Sequence, residues 1–183
     1  PLNDLPGTDQ RSFIEVLETT RDLMLDHGYE VERLYYETID WGGYCIDEED
    51  PCTEQAPYSG DADPNRSYDG SLLPEDLQPG SGFRWWANYD NVADAFNGGR
   101  FLISHHDHAE WRGWGHPRFK FYDYEFEQLA NGELLPVVYS INCESGYFDW
   151  ETDEPFAPNE SFMERLLWKE GGGMVGGLAA NRN

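Results

Sequence analysis

Apolar positions along this 183-residue chain follow two periods in turn. From Ser12 to about His27, Phe13, Val16, Leu17, Leu23 and Met24 recur at helical spacing, and Gly28 supplies a stop. Val31–Tyr36 reads as a short strand. Helical spacing returns around Asn91–Phe96 and ends at Gly98-Gly99, and Phe101-Leu102-Ile103-Ser104 then predicts a strand. A helix is expected over roughly Tyr124–Ala130, with Asn131-Gly132 as its stop. Leu135–Ile141 is apolar and β-branched, the composition of a buried strand. Ser161 stands three residues before Glu164, the capping-box spacing, and predicts a helix over Ser161–Lys169. Gly171-Gly172-Gly173 terminates it, and Met174–Ala180 is a final small-residue strand.

Helix–strand alternation of this kind predicts an α/β fold, a mostly parallel sheet with helices on both faces. Two segments break the rhythm. Residues 1–9 are a Pro/Gly/Asp-rich lead-in, and residues 38–84 are a long acidic stretch rich in Gly, Pro, Asp and Ser. The second is too long for an ordinary connection in a compact domain and reads as a loop insertion in a single domain spanning 1–183.

Composition narrows the class. Acids outnumber bases 36 to 12, a net charge of −24, and the only lysines are Lys120 and Lys169. Nucleic acid and anionic membranes demand a basic face, so neither is an expected partner. With 15% aromatics and seven Trp, the chain has the apolar side chains that a disordered acidic polymer lacks. Apolar runs are only a few residues long, so no membrane-spanning segment is predicted. The acid excess fits a solvated surface that keeps a secreted protein soluble, calcium binding, or adaptation to high salt.

Two groups of residues carry candidate chemistry. The first is His105, His106, Asp107 and His108, at the end of the strand over Phe101–Ser104, with His116 nearby. The second is Asn142-Cys143-Glu144-Ser145-Gly146, at the end of the strand over Leu135–Ile141. Ligands of open α/β sheets bind outside the carboxyl ends of the strands, so the two groups are expected side by side. A thiol becomes a nucleophile at neutral pH when a base or positive environment accompanies it, and a histidine on the adjacent strand end supplies one. Taken alone, Cys143 reads as a buried structural thiol. The histidine cluster also admits a zinc reading, partly resembling the His-x-His-x-Asp-His pattern of metallo-β-lactamase-type hydrolases. Ile103 occupies the first position of that pattern, and only His116 follows downstream. The other cysteines, Cys45 and Cys52, lie close enough in sequence to close a small disulfide.

The two stretches together resemble the gingipain-type cysteine peptidases, relatives of the caspases, legumains and clostripain. The resemblance rests on Gly99, Phe101–Ser104, Asp107-His108-Ala109 and Gly113-Trp114-Gly115 in the first stretch. In the second it rests on Asn131–Pro136, the strand into Cys143, Gly146 and Phe148, then Phe162, Glu164 and Gly171–Gly173. These cover about residues 89–183. Placing His108 in the family's histidine position brings Gly99, Gly113, Trp114 and Gly115 into register; placing His106 there does not. Asp107 and Ala109 stand where the family has glycines.

The resemblance implies a caspase-like three-layer α/β sandwich and peptide hydrolysis through a thioester. Cys143 is then the nucleophile and His108 the general acid/base. Backbone N–H groups of Ala109 and Cys143 form the oxyanion hole, each such donor contributing about 3–4 kcal/mol. Asp107 and Glu110 are both candidates for the acid that orients His108, and His105, His106 and Gly146 are site neighbours. Cleavage after a basic residue is expected from the acidic charge.

Asp61-x-Asp63-x-Asn65-x-Ser67-x-Asp69 spaces oxygen ligands at alternate positions, as calcium loops do, and the resemblance also implies calcium. Arg66 and Leu72 stand where an EF-hand needs glycine and glutamate, so any site there is irregular. The chain opens on a helix where the family fold begins with a strand, so it reads as a fragment of a longer secreted or cell-surface precursor. Its expected partner is a protein or peptide substrate. A catalytically inactive, calcium-dependent binding module is the non-enzymatic alternative.

Overall fold

A computed structural model describes residues 13–35, 72, 74–78, 81–83, 87–148 and 160–182. The chain divides into two compact units, Pro1–Ala87 and Asn88–Asn183.

In the first unit, helix α1 spans Phe13–Asp26, as the apolar spacing predicts. Ile14 and Leu17 on one face pack with Tyr35, Leu77 and Phe83 into a small core. Leu77 lies in a single 3-10 turn, Glu75–Leu77. Glu18 is buried beside this core but satisfied: Tyr35 donates its hydroxyl at 2.5 Å and Arg33 a guanidinium N–H at 3.2 Å. Val31–Tyr35, expected as a strand, takes no regular secondary structure. The carbonyl of Tyr35 instead accepts from the Ala87 N–H at 3.0 Å. Strand composition alone does not fix a strand, because β-propensity depends on the packing context.

The second unit is an α/β domain around a parallel three-stranded sheet. Helix α2 covers Tyr89–Asn97, started by a capping box between Asn88 and Asn91 and ended at Gly98. Strand β1 follows at Leu102–His106. Three two-residue strands, β2 (Ala109–Glu110), β3 (Gly113–Trp114) and β4 (Phe119–Lys120), then form a small antiparallel sheet. The sequence did not predict it, because segments this short carry no readable alternation. Helix α3 is one turn, Tyr124–Glu127, shorter than expected. Strand β5 spans Val137–Ile141, helix α4 Phe162–Trp168 and strand β6 Gly176–Ala179.

The main sheet has the order β1-β5-β6, with both pairings parallel. The strand ending in the histidines and the strand ending in the cysteine are therefore neighbours, as expected. One sheet face carries Ile103, His105, Val138, Ser140 and Ala179, and it packs on a core of Val92, Phe96, Trp114, Phe119, Phe126, Phe162, Met163 and Leu166. The other carries Val137, Tyr139, Ile141 and Leu178, at 37–61% exposure. Trp114, Phe96, Phe119, Phe162 and Leu166 are all but sealed from solvent, and burial of side chains this size stabilises by roughly 1.5–3 kcal/mol each.

Candidate active site

The β1–β5 ladder sets the site. His105 pairs with Ser140 and His106 with Ile141, the last rung. His108 and Cys143 each lie two residues beyond that rung, on adjacent chains leaving the same sheet edge. Cys143 is a half-buried free thiol, and the His108 side is exposed.

The histidine side is shaped by the hairpin of β2 and β3. The Gly115 N–H donates to the His108 carbonyl at 2.9 Å. With Ala109 facing Trp114, that bond makes the Ala109–Trp114 pair the non-hydrogen-bonded kind. The Ala109 N–H therefore points away from β3. The Gly-Trp-Gly sequence has a physical cause at each position. Gly113 has φ 139°, and a Cβ there would lie 2.3 Å from the Phe119 carbonyl oxygen, a position only glycine fills. Trp114 is the core anchor, and a Cβ on Gly115 would press on the His108 carbonyl at 3.1 Å.

The cysteine side is a tight loop. Glu144, next to Cys143, holds φ 56°, a left-handed conformation that costs a residue with a Cβ roughly 1–2 kcal/mol. Around it, Ser145 is buried, and the Gly146 N–H donates to the Ala180 carbonyl at 3.0 Å. A Cβ on Gly146 would meet that of Ala179 at 2.9 Å, so the loop rests on the end of β6. Helix α4 fastens both halves. Two first-turn N–H groups that no helical carbonyl can reach are used outward: Phe162 donates to the Trp111 carbonyl in the hairpin turn and Met163 to the Ser145 carbonyl in the cysteine loop. The third is capped by Ser161 within the expected Ser161–Glu164 box.

The remaining expected neighbours divide clearly. His105 faces the core, stacked on Trp114 with ring centroids 4.4 Å apart and planes 3° from parallel. Its Nε2 is 3.1 Å from the His116 carbonyl and its Nδ1 2.8 Å from Asn142 Nδ2. Burial holds its imidazole at about 3, far below the ordinary value, so it is neutral. His106 points to the opposite sheet face; burial lowers it, and the nearby Asp107 carboxylate opposes that. Asp107 Oδ1 accepts from the His108 backbone N–H at 2.5 Å. Burial raises the Asp107 carboxyl, which this hydrogen bond and the imidazoles of His116 and His108 offset. Glu110 is engaged elsewhere, in ion pairs with Arg112 at 2.5 Å and with Lys120. Burial would raise its carboxyl, but these two cations hold it below the usual range.

Of the cluster read as a zinc site, His105 has both ring nitrogens hydrogen-bonded inside the core. Among the described residues, no group of three or more His, Cys, Asp or Glu side chains is placed to hold a metal ion. Asp61, Asp63, Asn65 and Asp69, and with them the expected calcium loop, lie outside the described residues, as do Cys45 and Cys52. Sequence reasoning missed the roles of Asn142, Ser140 and Ser145, whose side chains join His105 in one buried network. The available signal was the alternation along β1, which sends His105 and Ile103 to the same face.

The parallel sheet makes this an α/β protein, with the cysteine loop and the histidine hairpin leaving neighbouring strands at its carboxyl edge. The family follows from comparison. A family model described as Peptidase family C25 matches residues 7–183, and the chain belongs to that family. Two curated proteins of Porphyromonas gingivalis, Gingipain R2 and Gingipain R1, are each 34% identical to it over 58 residues, 32% of this chain. The match spans less than a tenth of the length of these relatives, 8% and 6% of them. No solved structure matches.

Proposed function

We propose that this chain carries the catalytic centre of a cysteine endopeptidase, with Cys143 as nucleophile and His108 as general acid/base. The observation that carries the reading is the β1–β5 register, which delivers both residues to one sheet edge in a member of Peptidase family C25. His108 takes the Cys143 thiol proton, the Sγ thiolate attacks the scissile carbonyl carbon, and the carbonyl oxygen becomes an oxyanion between the N–H groups of Ala109 and Cys143. Collapse of the adduct breaks the C–N bond as His108 gives a proton to the leaving amine. The acyl group remains on Cys143 as a thioester. His108 then takes a proton from water, hydroxide adds to the thioester, and the acid product and free thiol are released. Asp107 is the acid that steadies His108, through its hold on the His108 backbone N–H, since Glu110 is committed to Arg112 and Lys120.

The preferred residue before the cut is Arg or Lys, a reading supported by the charge of −24. The same charge speaks against nucleic acid as partner, and among the described residues no helix is long and apolar enough to cross a membrane. We place the enzyme outside the cell or at its surface, as part of a longer precursor, with calcium bound by the Asp61–Asp69 segment in a structural role. Hydrolysis of a peptide library varied at the residue before the cut, with and without calcium, tests these assignments together. Cleavage after basic residues that is abolished by Cys143→Ala supports them. Cleavage that persists in Cys143→Ala overturns the nucleophile, and no cleavage in any condition favours the binding module.

A further inference from the structure

His105 is a buried histidine that the proposed mechanism does not use, and its surroundings form a closed hydrogen-bond network. The proton positions follow from donor and acceptor chemistry alone. A carbonyl only accepts, so His105 Nε2 carries the proton given to His116, and Nδ1 accepts from Asn142. The second Asn142 amide proton goes to Ser140 Oγ at 2.7 Å, which also receives the Trp114 Nε1–H at 2.7 Å. Ser145 gives its proton to Asn142 Oδ1 at 2.6 Å, so the Ser140 hydroxyl donates to Ser145 across 2.8 Å. Every side-chain donor from Trp114 to His105 has one partner and one direction. Ser140, Ser145, Trp114 and His105 are all buried.

This network spans both halves of the site. Asn142 is the residue before Cys143 and Ser145 the second after it, so the loop is gripped on either side of the sulfur. His116 follows Gly115, whose N–H binds the His108 carbonyl, and its imidazole interacts electrostatically with Asp107 and His108. We propose that His105, as its Nε2–H tautomer, is a positioning residue that locks the Cys143 loop to the His108 hairpin through Asn142 on one side and the His116 carbonyl on the other. The inference rests on the Cys143–His108 reading, and it assigns His105 to neither proton transfer nor metal binding.

Two variants separate the stacking of His105 from its hydrogen bonds: His105→Phe keeps a ring against Trp114, and Asn142→Ala removes the link on the other side. Each is expected to lower kcat on the order of 10- to 100-fold, with KM within about twofold, because misplacement rather than binding is the defect. Alkylation of Cys143 by iodoacetamide at pH 6 is expected to slow on the order of 10-fold in both, and it needs no peptidase activity. His105→Asn, which keeps an acceptor for Asn142, is expected to recover part of both losses. A wild-type chain that cleaves no peptide but shows the alkylation difference refutes the peptidase reading and supports the network. Wild-type kcat and alkylation in both variants, or a loss confined to KM, overturns the inference. Should the variants not fold, nitrogen-15 spectra of the wild-type ring decide: a neutral Nε2–H signal from pH 5 to 8 supports it, and a charged ring or the other tautomer overturns it.

Discussion

His108 and Cys143 stand two residues past one shared rung, the pairing of His106 with Ile141 at the end of the β1–β5 ladder. Neighbouring strands of a sheet lie about 4.8 Å apart, so the two residues leave the sheet edge from adjacent strands at one level. Much of the remaining structure holds that relationship in place. Helix α4 ties the hairpin turn to the cysteine loop through Phe162 and Met163, and the left-handed Glu144 folds the loop back onto β6.

The buried imidazole has a consequence for stability. His105 has a folded value of about 3 against an ordinary value near 6.5, so the unfolded chain binds its proton more readily. Stability is then full above about pH 6.5 and falls as pH drops toward 3, by at most about 1.4 kcal/mol per unit from this residue. His106 and His116, also lowered by burial, act in the same direction, and the raised Asp107 in the opposite one. Urea unfolding of wild type and His105→Phe between pH 4 and 7 is expected to show a shallower acid decline in the variant. Parallel declines contradict the assignment.

Glycine requirements differ sharply between two turns. At Gly113 an added Cβ meets backbone oxygen at 2.3 Å, and at Gly132, φ 57°, it meets nothing within 4 Å. Gly132→Ala is expected to cost about 1–2 kcal/mol, the left-handed penalty alone. Gly113→Ala is expected to cost more than that, on the order of 3 kcal/mol or outright misfolding, since the hairpin must open. Denaturation midpoints at matched slope compare them.

The two acids near His108 are expected to separate on substitution. Glu110→Gln disturbs a partly exposed ion-pair cluster, for which roughly 1 kcal/mol of stability or less is at stake, and leaves kcat near wild type. Asp107→Ala frees the His108 backbone N–H and lowers kcat while KM holds. Steady-state kinetics of both variants on one peptide make the comparison, and equal losses would return Glu110 to the site.

The strand ends that carry the site were legible because β1 and β5 are apolar runs stopped by His and Asn, and α4 begins at the capping residue Ser161, whereas the Asn88 cap that starts α2 three residues before Asn91 was not read. What stayed hidden depends on contacts distant in sequence. Among the three clustered histidines, the alternation along β1 marks His105 as the one facing with Ile103, but its stacking on Trp114, nine residues on, is visible only in the structure. The β2–β4 sheet was invisible because its two-residue strands are held by the Gly113 approach and by core burial of Trp114 and Phe119, not by any periodic pattern. Val31–Tyr35 had strand composition, yet it takes no regular secondary structure.

The most direct test of the central claim is covalent capture. A peptidyl chloromethyl ketone ending in arginine alkylates a thiol far faster where peptide binding brings the two together. Mass spectrometry of the digested adduct is expected to place the label on Cys143, with labelling slowed in His108→Ala and unchanged in Glu110→Gln. A label on another residue, or labelling of Cys143 at one rate with and without His108, would contradict the Cys143–His108 site.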